Sequence, residues 1–140
     1  MRIFVDANII ISVLNKEYPS FTYTSRILSL GSFKNFVLYT SPICLAIAFY
    51  FAEKKHTAAK AKDKIRLLCE HIHITDTGES VVKNALKNNK ILDFEDGLEY
   101  YSAIESKCNC IVTEDVDDFY FAEMEIINSE NFFDKYMVRK

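Results

Sequence analysis

The chain has 140 residues, 49% of them hydrophobic and 26% charged, with a formal net charge of −3. That length and apolar content support a single domain, 1–140, with its own core and no need of disulfide or metal staples. Three glycines, two prolines and the absence of any Ser- or Gly-rich run exclude a flexible linker or low-complexity chain.

In chain order, RIFVD (2–6) reads as a strand and ANIIISVLNK (7–16) as a helix. SFTYTSRILSLG (20–31) reads as a second helix with Ser20 as N-cap and Gly31 as its C-terminal stop. NFVLYTS (35–41) is a strand, and PICLAIAFYFAEKK (42–55) is a helix with Pro42 at its start and cations at its end, where the dipole favours them. TAAKAKDKIRLLCE (57–70) continues as a helix and HIHIT (71–75) is the third strand. TGESVVKNALKNN (77–89) and DFEDGLEYYSAIESK (93–107) are helical, CIVT (110–113) is a strand, and TEDVDDF (113–119) reads either as an acidic loop or as holding a helix start at 116–120. MEIIN (124–128) is an edge strand before a final helical turn in SENFFDKYM (129–137). Strands separated by helices predict an α/β fold of three layers, with a mainly parallel sheet of about five strands between helices.

The opening MRIFVDAN carries an acid where a secretory leader would remain apolar, and ICLAIAFYFA (43–52) is about half the ~20 residues needed to cross a bilayer. A cytoplasmic protein without membrane contact is expected. In a reducing compartment Cys44, Cys69, Cys108 and Cys110 read as small buried side chains. Cys69, His71 and His73 form no zinc set, because no matching ligand pair occurs elsewhere.

Ligands bind such sheets at the carboxyl ends of the strands. Asp6 closes the first strand, Asp115 follows CIVT, and Asp96 lies in the first turn of the helix feeding that strand. Each has a structural reading: Asp93 as an N-cap with Asp96 in the first turn behind it, and Asp115 as the cap of the helix after it. Asp6 has the weakest such account, since an acid at a strand end beneath a helix demands a partner and no cation lies nearby in sequence except Arg2. Two carboxylates about 4 Å apart repel by about 4 kcal/mol at an effective dielectric of 20, so three converging acids require a shared proton or a counter-ion. Mg²⁺ or Mn²⁺ supplies that charge while keeping waters for chemistry.

At these residues the chain resembles the PIN-domain nucleases, a family that includes the ribonuclease toxins of bacterial toxin–antitoxin pairs. FVDAN resembles the opening D-x-N motif, DFEDGLEYYSA the central acidic helix start, and IVTEDVDDF the late motif in which a Thr precedes an acid and a terminal Asp-Phe pair. The resemblance implies a metal-dependent endoribonuclease for single-stranded or looped RNA, with Asp6, Asp96 and Asp115 as metal-binding acids and Asn8 and Thr113 supporting them. Asp118 is open to two readings, positioning metal-bound water or capping a turn. An antitoxin partner is implied by the same resemblance.

The chain departs from the family at one position. The usual glutamate, six residues beyond the strand-end serine, falls on Ile47 when counted from Ser41. Glu53, a further six residues on, points about 240° away and cannot substitute. Glu99, three residues after Asp96, is a possible auxiliary acid or a solvated helix glutamate, and Asp93 is the other auxiliary candidate. The departure keeps open a catalytically weakened PIN-fold module that binds RNA or protein. A phosphatase with an Asp nucleophile is disfavoured because Asn8 stands where it needs an acid.

Lys54, Lys55, Lys60, Lys62, Lys64 and Arg66 fall within thirteen residues, and Lys83, Lys87 and Lys90 follow. These read either as a track for a phosphate backbone or as solvated helix faces. Tyr100 and Tyr101 read as base-stacking platforms or as core. ICLAIAFYFA is apolar on every helical face, which predicts a homodimer unless both faces are buried within the domain.

Overall fold

The computed structural model describes residues 1–137. Five strands, β1 (Arg2–Val5), β2 (Val37–Thr40), β3 (His73–Ile74), β4 (Cys110–Val112) and β5 (Glu125–Ile127), form one sheet in the order β3-β2-β1-β4-β5. Every pairing is parallel, so the sheet is wholly rather than mainly parallel. Seven helices accompany it: α1 (Ala7–Leu14), α2 (Phe21–Ser29), α3 (Pro42–Lys55), α4 (Ala58–Leu68), α5 (Glu79–Lys87), α6 (Phe94–Glu105) and α7 (Ser129–Tyr136). Ile3, Phe4 and Val5 of β1 and Cys110, Ile111 and Val112 of β4 are all inaccessible to solvent. Alternating side chains of a strand point to opposite faces, so both faces of the central sheet are covered by helices.

Several element ends differ from the sequence reading, each for a local reason. α1 stops at Leu14 because Lys16 adopts a left-handed conformation (φ 49°), and α6 stops at Glu105 before the left-handed Lys107 (φ 58°). No glycine marks either stop. Ser20 does not cap α2: it is helical itself, and its hydroxyl donates to the Glu17 carbonyl at 2.9 Å. Gly31 sits in a 3₁₀ turn (Leu30–Ser32) rather than in a left-handed stop, and a Cβ there would stand 2.4 Å from the His71 carbonyl oxygen. Close approach of two backbones is therefore its requirement. HIHIT contributes only His73 and Ile74 to the sheet, as an exposed edge strand.

The order β2-β1-β4 makes β1 the strand at which the chain reverses its direction of travel across the sheet. Val5 lies opposite Val112 in the register, so the residues that follow β1 and β4 emerge side by side. α1 packs on α3 and α3 touches α6, and all three helices contribute residues at that carboxyl edge.

Candidate active site

Asp6 leaves β1 as the N-cap of α1. Its Oδ1 accepts from the Ala7 amide at 2.6 Å and its Oδ2 from the Thr113 hydroxyl at 2.8 Å. It is 8% exposed. Asn8, one residue into α1, links the two strand ends: its amide nitrogen donates to Thr113 Oγ1 at 3.0 Å, to Asp115 Oδ2 at 3.1 Å and to Asp6 Oδ2 at 3.4 Å. Its carbonyl accepts from the Glu114 amide at 3.2 Å, and the Asp115 amide donates to Thr113 Oγ1 at 3.1 Å. The polar pair that interrupts the apolar run of residues 4–13 thus fastens the β4 loop to β1.

The third acid arrives on α6. Asp93 is its N-cap, accepting from the amides of Glu95 and Asp96 at 2.9 and 3.3 Å, which is the structural role open to it in the sequence. Asp96 then turns into an open cleft of about 280 Å³ lined by Asp6, Asn8, Ile47, Glu95, Asp96, Glu99, Asp115 and Asp118, with Ala7, Ile11 and Phe51 completing the wall. The predicted acids Asp6, Asp96, Asp115 and Asp118 therefore meet in one place. Asp115 precedes a 3₁₀ turn (Val116–Phe119) without capping it through its side chain.

Burial and the crowding of carboxylates make Asp96, Glu95 and Asp118 resist ionisation. Burial first, and then the charges of Asp93, Asp118, Asp6 and Glu95, raise Asp96 from the ordinary aspartate value of 3.8 to about 7. Its place in the first turn of α6, where the helix dipole favours an anion, does not offset that crowding. Glu95 and Asp118 are also raised, each by desolvation and then by neighbouring carboxylates. Among the described residues no lysine or arginine forms an ion pair with any acid of the cleft.

Two side chains correct the sequence reading of this site. Glu99 is no solvated helix glutamate: it is 2% exposed, one turn beyond Asp96, and Cys44 Sγ donates to its Oε1 at 2.7 Å. Burial, then Cys44 and Asp6 beside it, push its carboxyl well above the usual range. Cys44 is a buried free thiol as expected, but it belongs to the surroundings of the acids, and burial raises it as well. Among the described residues, Asp6, Cys44 and Glu99 are the one group of three potential metal ligands with all ligand atoms within 4.8 Å of one another. Glu95 lines the cleft and was not singled out in the sequence; its only signal was its place beside Asp96.

The expected nucleic-acid contacts divide in the structure. Lys55 and Lys64 donate to the carbonyls of Asn15 (2.6 Å) and Leu14 (3.0 Å), neutralising the C-terminus of α1. Lys54 lies over the Tyr50 ring at 4.1 Å, and Lys60 is exposed on α4. Tyr100 is 5% exposed and packs edge-on against Tyr101 and Phe121, so neither ring face is open to a base. Its hydroxyl accepts from the Glu123 amide at 3.1 Å, an ordinary buried-tyrosine role. His71 and His73 are both exposed and join no ligand cluster.

A family model described as the PIN domain matches residues 2–117, and the chain belongs to the PIN-domain family. Solved structures agree in fold. VapBC-1 from nontypeable Haemophilus influenzae aligns over 93% of this chain and 99% of its own at 20% identity and a TM-score of 0.72. VapBC2 from Rickettsia felis, bound to a promoter DNA fragment, aligns over 91% and 98% at 20% identity and a TM-score of 0.71. The Mycobacterium tuberculosis toxin VapC20, which cleaves the sarcin–ricin loop, aligns over 87% and 95% at 15% identity and a TM-score of 0.67. No curated protein sequence matches the chain.

Proposed function

We propose that this PIN-domain protein is a metal-dependent endoribonuclease for single-stranded or looped RNA and the toxin of a toxin–antitoxin pair. The observation that carries the proposal is the convergence of Asp6, Asp96, Asp115 and Asp118 at the carboxyl edge of β1 and β4, with no lysine or arginine among the described residues paired to them. The donors facing the cleft are carboxylate oxygens, the chemistry of a hard divalent cation, and their mutual repulsion is what such a charge relieves. Asp6, Asp96 and Asp115 would hold Mg²⁺ or Mn²⁺. When bound, the ion supplies a more acidic water and positive charge beside the scissile phosphate.

The chain's own residues have distinct tasks in this reading. Thr113 and Asn8 orient Asp6 and Asp115 by hydrogen bonds, so those carboxylates need no reorganisation on binding. Asp118, exposed and lining the cleft, would position the attacking water and take up its proton. Ile47, Ile11 and Phe51 supply the apolar part of the cleft lining and limit how much water surrounds the acids.

The VapBC complexes support an antitoxin partner and the loop-cleaving VapC20 supports a structured RNA substrate. Exposed Tyr50 and Phe51 on α3, at 55% and 44%, support a homodimer. No helix among the described residues is long and apolar enough to cross a membrane. Of the predicted basic residues, Lys60, Lys62, Lys87 and Lys90 are exposed and form no ion pair among the described residues, which leaves their ammonium groups available to phosphates, whereas Lys54 lies over the Tyr50 ring.

The deciding experiment is cleavage of a mixed single-stranded RNA pool by the purified protein with Mg²⁺ or Mn²⁺, with Asp6→Asn as control. Ile47 on the cleft wall favours a second reading, a weakened module that binds RNA or protein. RNA retention without metal-stimulated cleavage would select that reading.

A further inference from the structure

α3 contributes no acid to the cleft. Its residues lining the cleft are Ile47 and Phe51, and the side chain one turn before Ile47 is Cys44. A carboxylate nevertheless reaches the α3 side of the site from the neighbouring helix. Glu99 lies one turn deeper on α6 than Asp96, is almost wholly buried, and still borders the cleft. Its Oε1 is held by the Cys44 thiol at 2.7 Å, and one of its carboxylate oxygens lies within 4.8 Å of a carboxylate oxygen of Asp6 and of the Cys44 sulfur.

We infer that Glu99 is the fourth metal-holding carboxylate of this chain, supplied by α6 in place of an acid on α3, with Cys44 as the positioning residue that fixes its orientation. The inference rests on the metal-dependent reading above and deepens it. The geometry also accounts for Ile47. An acid at 47 would add a further negative charge to a site already crowded by Asp6, Glu95, Asp96, Glu99, Asp115 and Asp118, whereas an apolar side chain there leaves Glu99 unopposed from the α3 side. A buried carboxylate with one oxygen fixed by a neighbour offers the other with little freedom to lose on binding, the arrangement that supporting hydrogen bonds provide around metal ligands.

The Cys44 thiol acts here as a hydrogen-bond donor, not as a ligand. It does not line the cleft, and Mg²⁺ and Mn²⁺ are poorly suited to sulfur.

The test is calorimetric titration of Mn²⁺ alone into the full chain, alongside thermal unfolding to establish that each variant is folded. Glu99→Gln is expected to weaken Mn²⁺ at least tenfold, and Ile47→Glu in the Glu99→Gln background to recover most of that loss by returning a carboxylate from α3. Cys44→Ser, which keeps a donor, should bind within about threefold of wild type, and Cys44→Ala more weakly than Cys44→Ser. Wild-type affinity in folded Glu99→Gln, with binding lost in Asp6→Asn, would overturn the role of Glu99 and leave the metal reading standing. If Glu99→Gln does not fold, equal affinity of Cys44→Ala and Cys44→Ser would overturn the positioning role. A thiolate-to-metal absorption band on adding Co²⁺ would make Cys44 a ligand and overturn it as well. Absence of Mn²⁺ binding by the wild type would remove the metal reading itself, and this inference with it.

Discussion

Asn8 and Asp115 are 107 residues apart in sequence and 3.1 Å apart in space, joined by a hydrogen bond from the Asn8 amide to the Asp115 carboxylate. The same amide reaches Thr113 and Asp6, so one side chain sets the spacing between the acid that ends β1 and the acid that follows β4. Asn8→Ala is expected to leave the fold intact, because buried Asp6 and Thr113 keep their own hydrogen bond and Glu114 and Asp115 face solvent, and to weaken Mn²⁺ binding and RNA cleavage about 10- to 100-fold. Titration calorimetry beside a cleavage time course measures both. Unchanged metal affinity would mean that Asp6 and Asp115 are held by the backbone alone.

Asp6→Asn, Asp96→Asn and Asp115→Asn should each remove metal-stimulated cleavage while circular dichroism stays native-like. The expected loss is about 10²-fold or more, since each change removes a charged donor from the same cation. Full activity in two of the three variants would refute the site.

The pH dependence of stability has a defined sign. The folded-state value of Asp96, about 7, lies above its ordinary 3.8, so between these the folded chain retains a proton that the unfolded chain has released. Stability of the metal-free protein therefore falls as pH rises through that interval and levels off above it. Asp96→Asn, which cannot ionise, should gain stability relative to wild type across the same interval, and saturating Mn²⁺ should abolish the difference in the wild type's favour. Melting temperatures measured in EDTA and in Mn²⁺ from pH 4 to 8 decide it; a gap between the two proteins that does not vary with pH would contradict the assignment.

Gly31→Ala tests the close approach of the 3₁₀ turn to the chain before β3. A Cβ 2.4 Å from the His71 carbonyl oxygen forces one backbone to move, at a cost of about 1–3 kcal/mol. Denaturant unfolding should show a lowered midpoint with an unchanged slope. A midpoint equal to wild type would mean that the turn yields freely.

Tyr50→Glu addresses the exposed outer face of α3. Tyr50 is 55% exposed and touches Phe51 edge-on, while Lys54 stacks over its ring. A charge there should convert a homodimer to monomer with little loss of thermal stability. Light scattering reads the mass directly, and a wild type that is monomeric at micromolar concentration would dispose of the dimer.

The sequence by itself determined the alternation of strands and helices, and with it a parallel sheet whose carboxyl edge collects ligands. Local signals sufficed for this: an apolar strand ending in Asp6, Asp93 capping α6, and Pro42 opening α3 act within a few residues of themselves. Short-range stops without a glycine, at Lys16 and Lys107, escaped because any residue can be forced left-handed by packing. Only the tertiary structure decided what each helical face meets. The spacing of Glu99 from Asp96 placed both on nearly one side of α6, but whether that side one turn deeper was wet or dry depended on α3 lying across it, and α3 brought Cys44 to Glu99. The same is true of Lys55 and Lys64, drawn to the end of α1, and of Tyr100, enclosed by Phe121. Periodicity assigns a residue to a face. Contacts between residues such as Cys44 and Glu99, 55 positions apart, follow only from how the helices pack on the sheet.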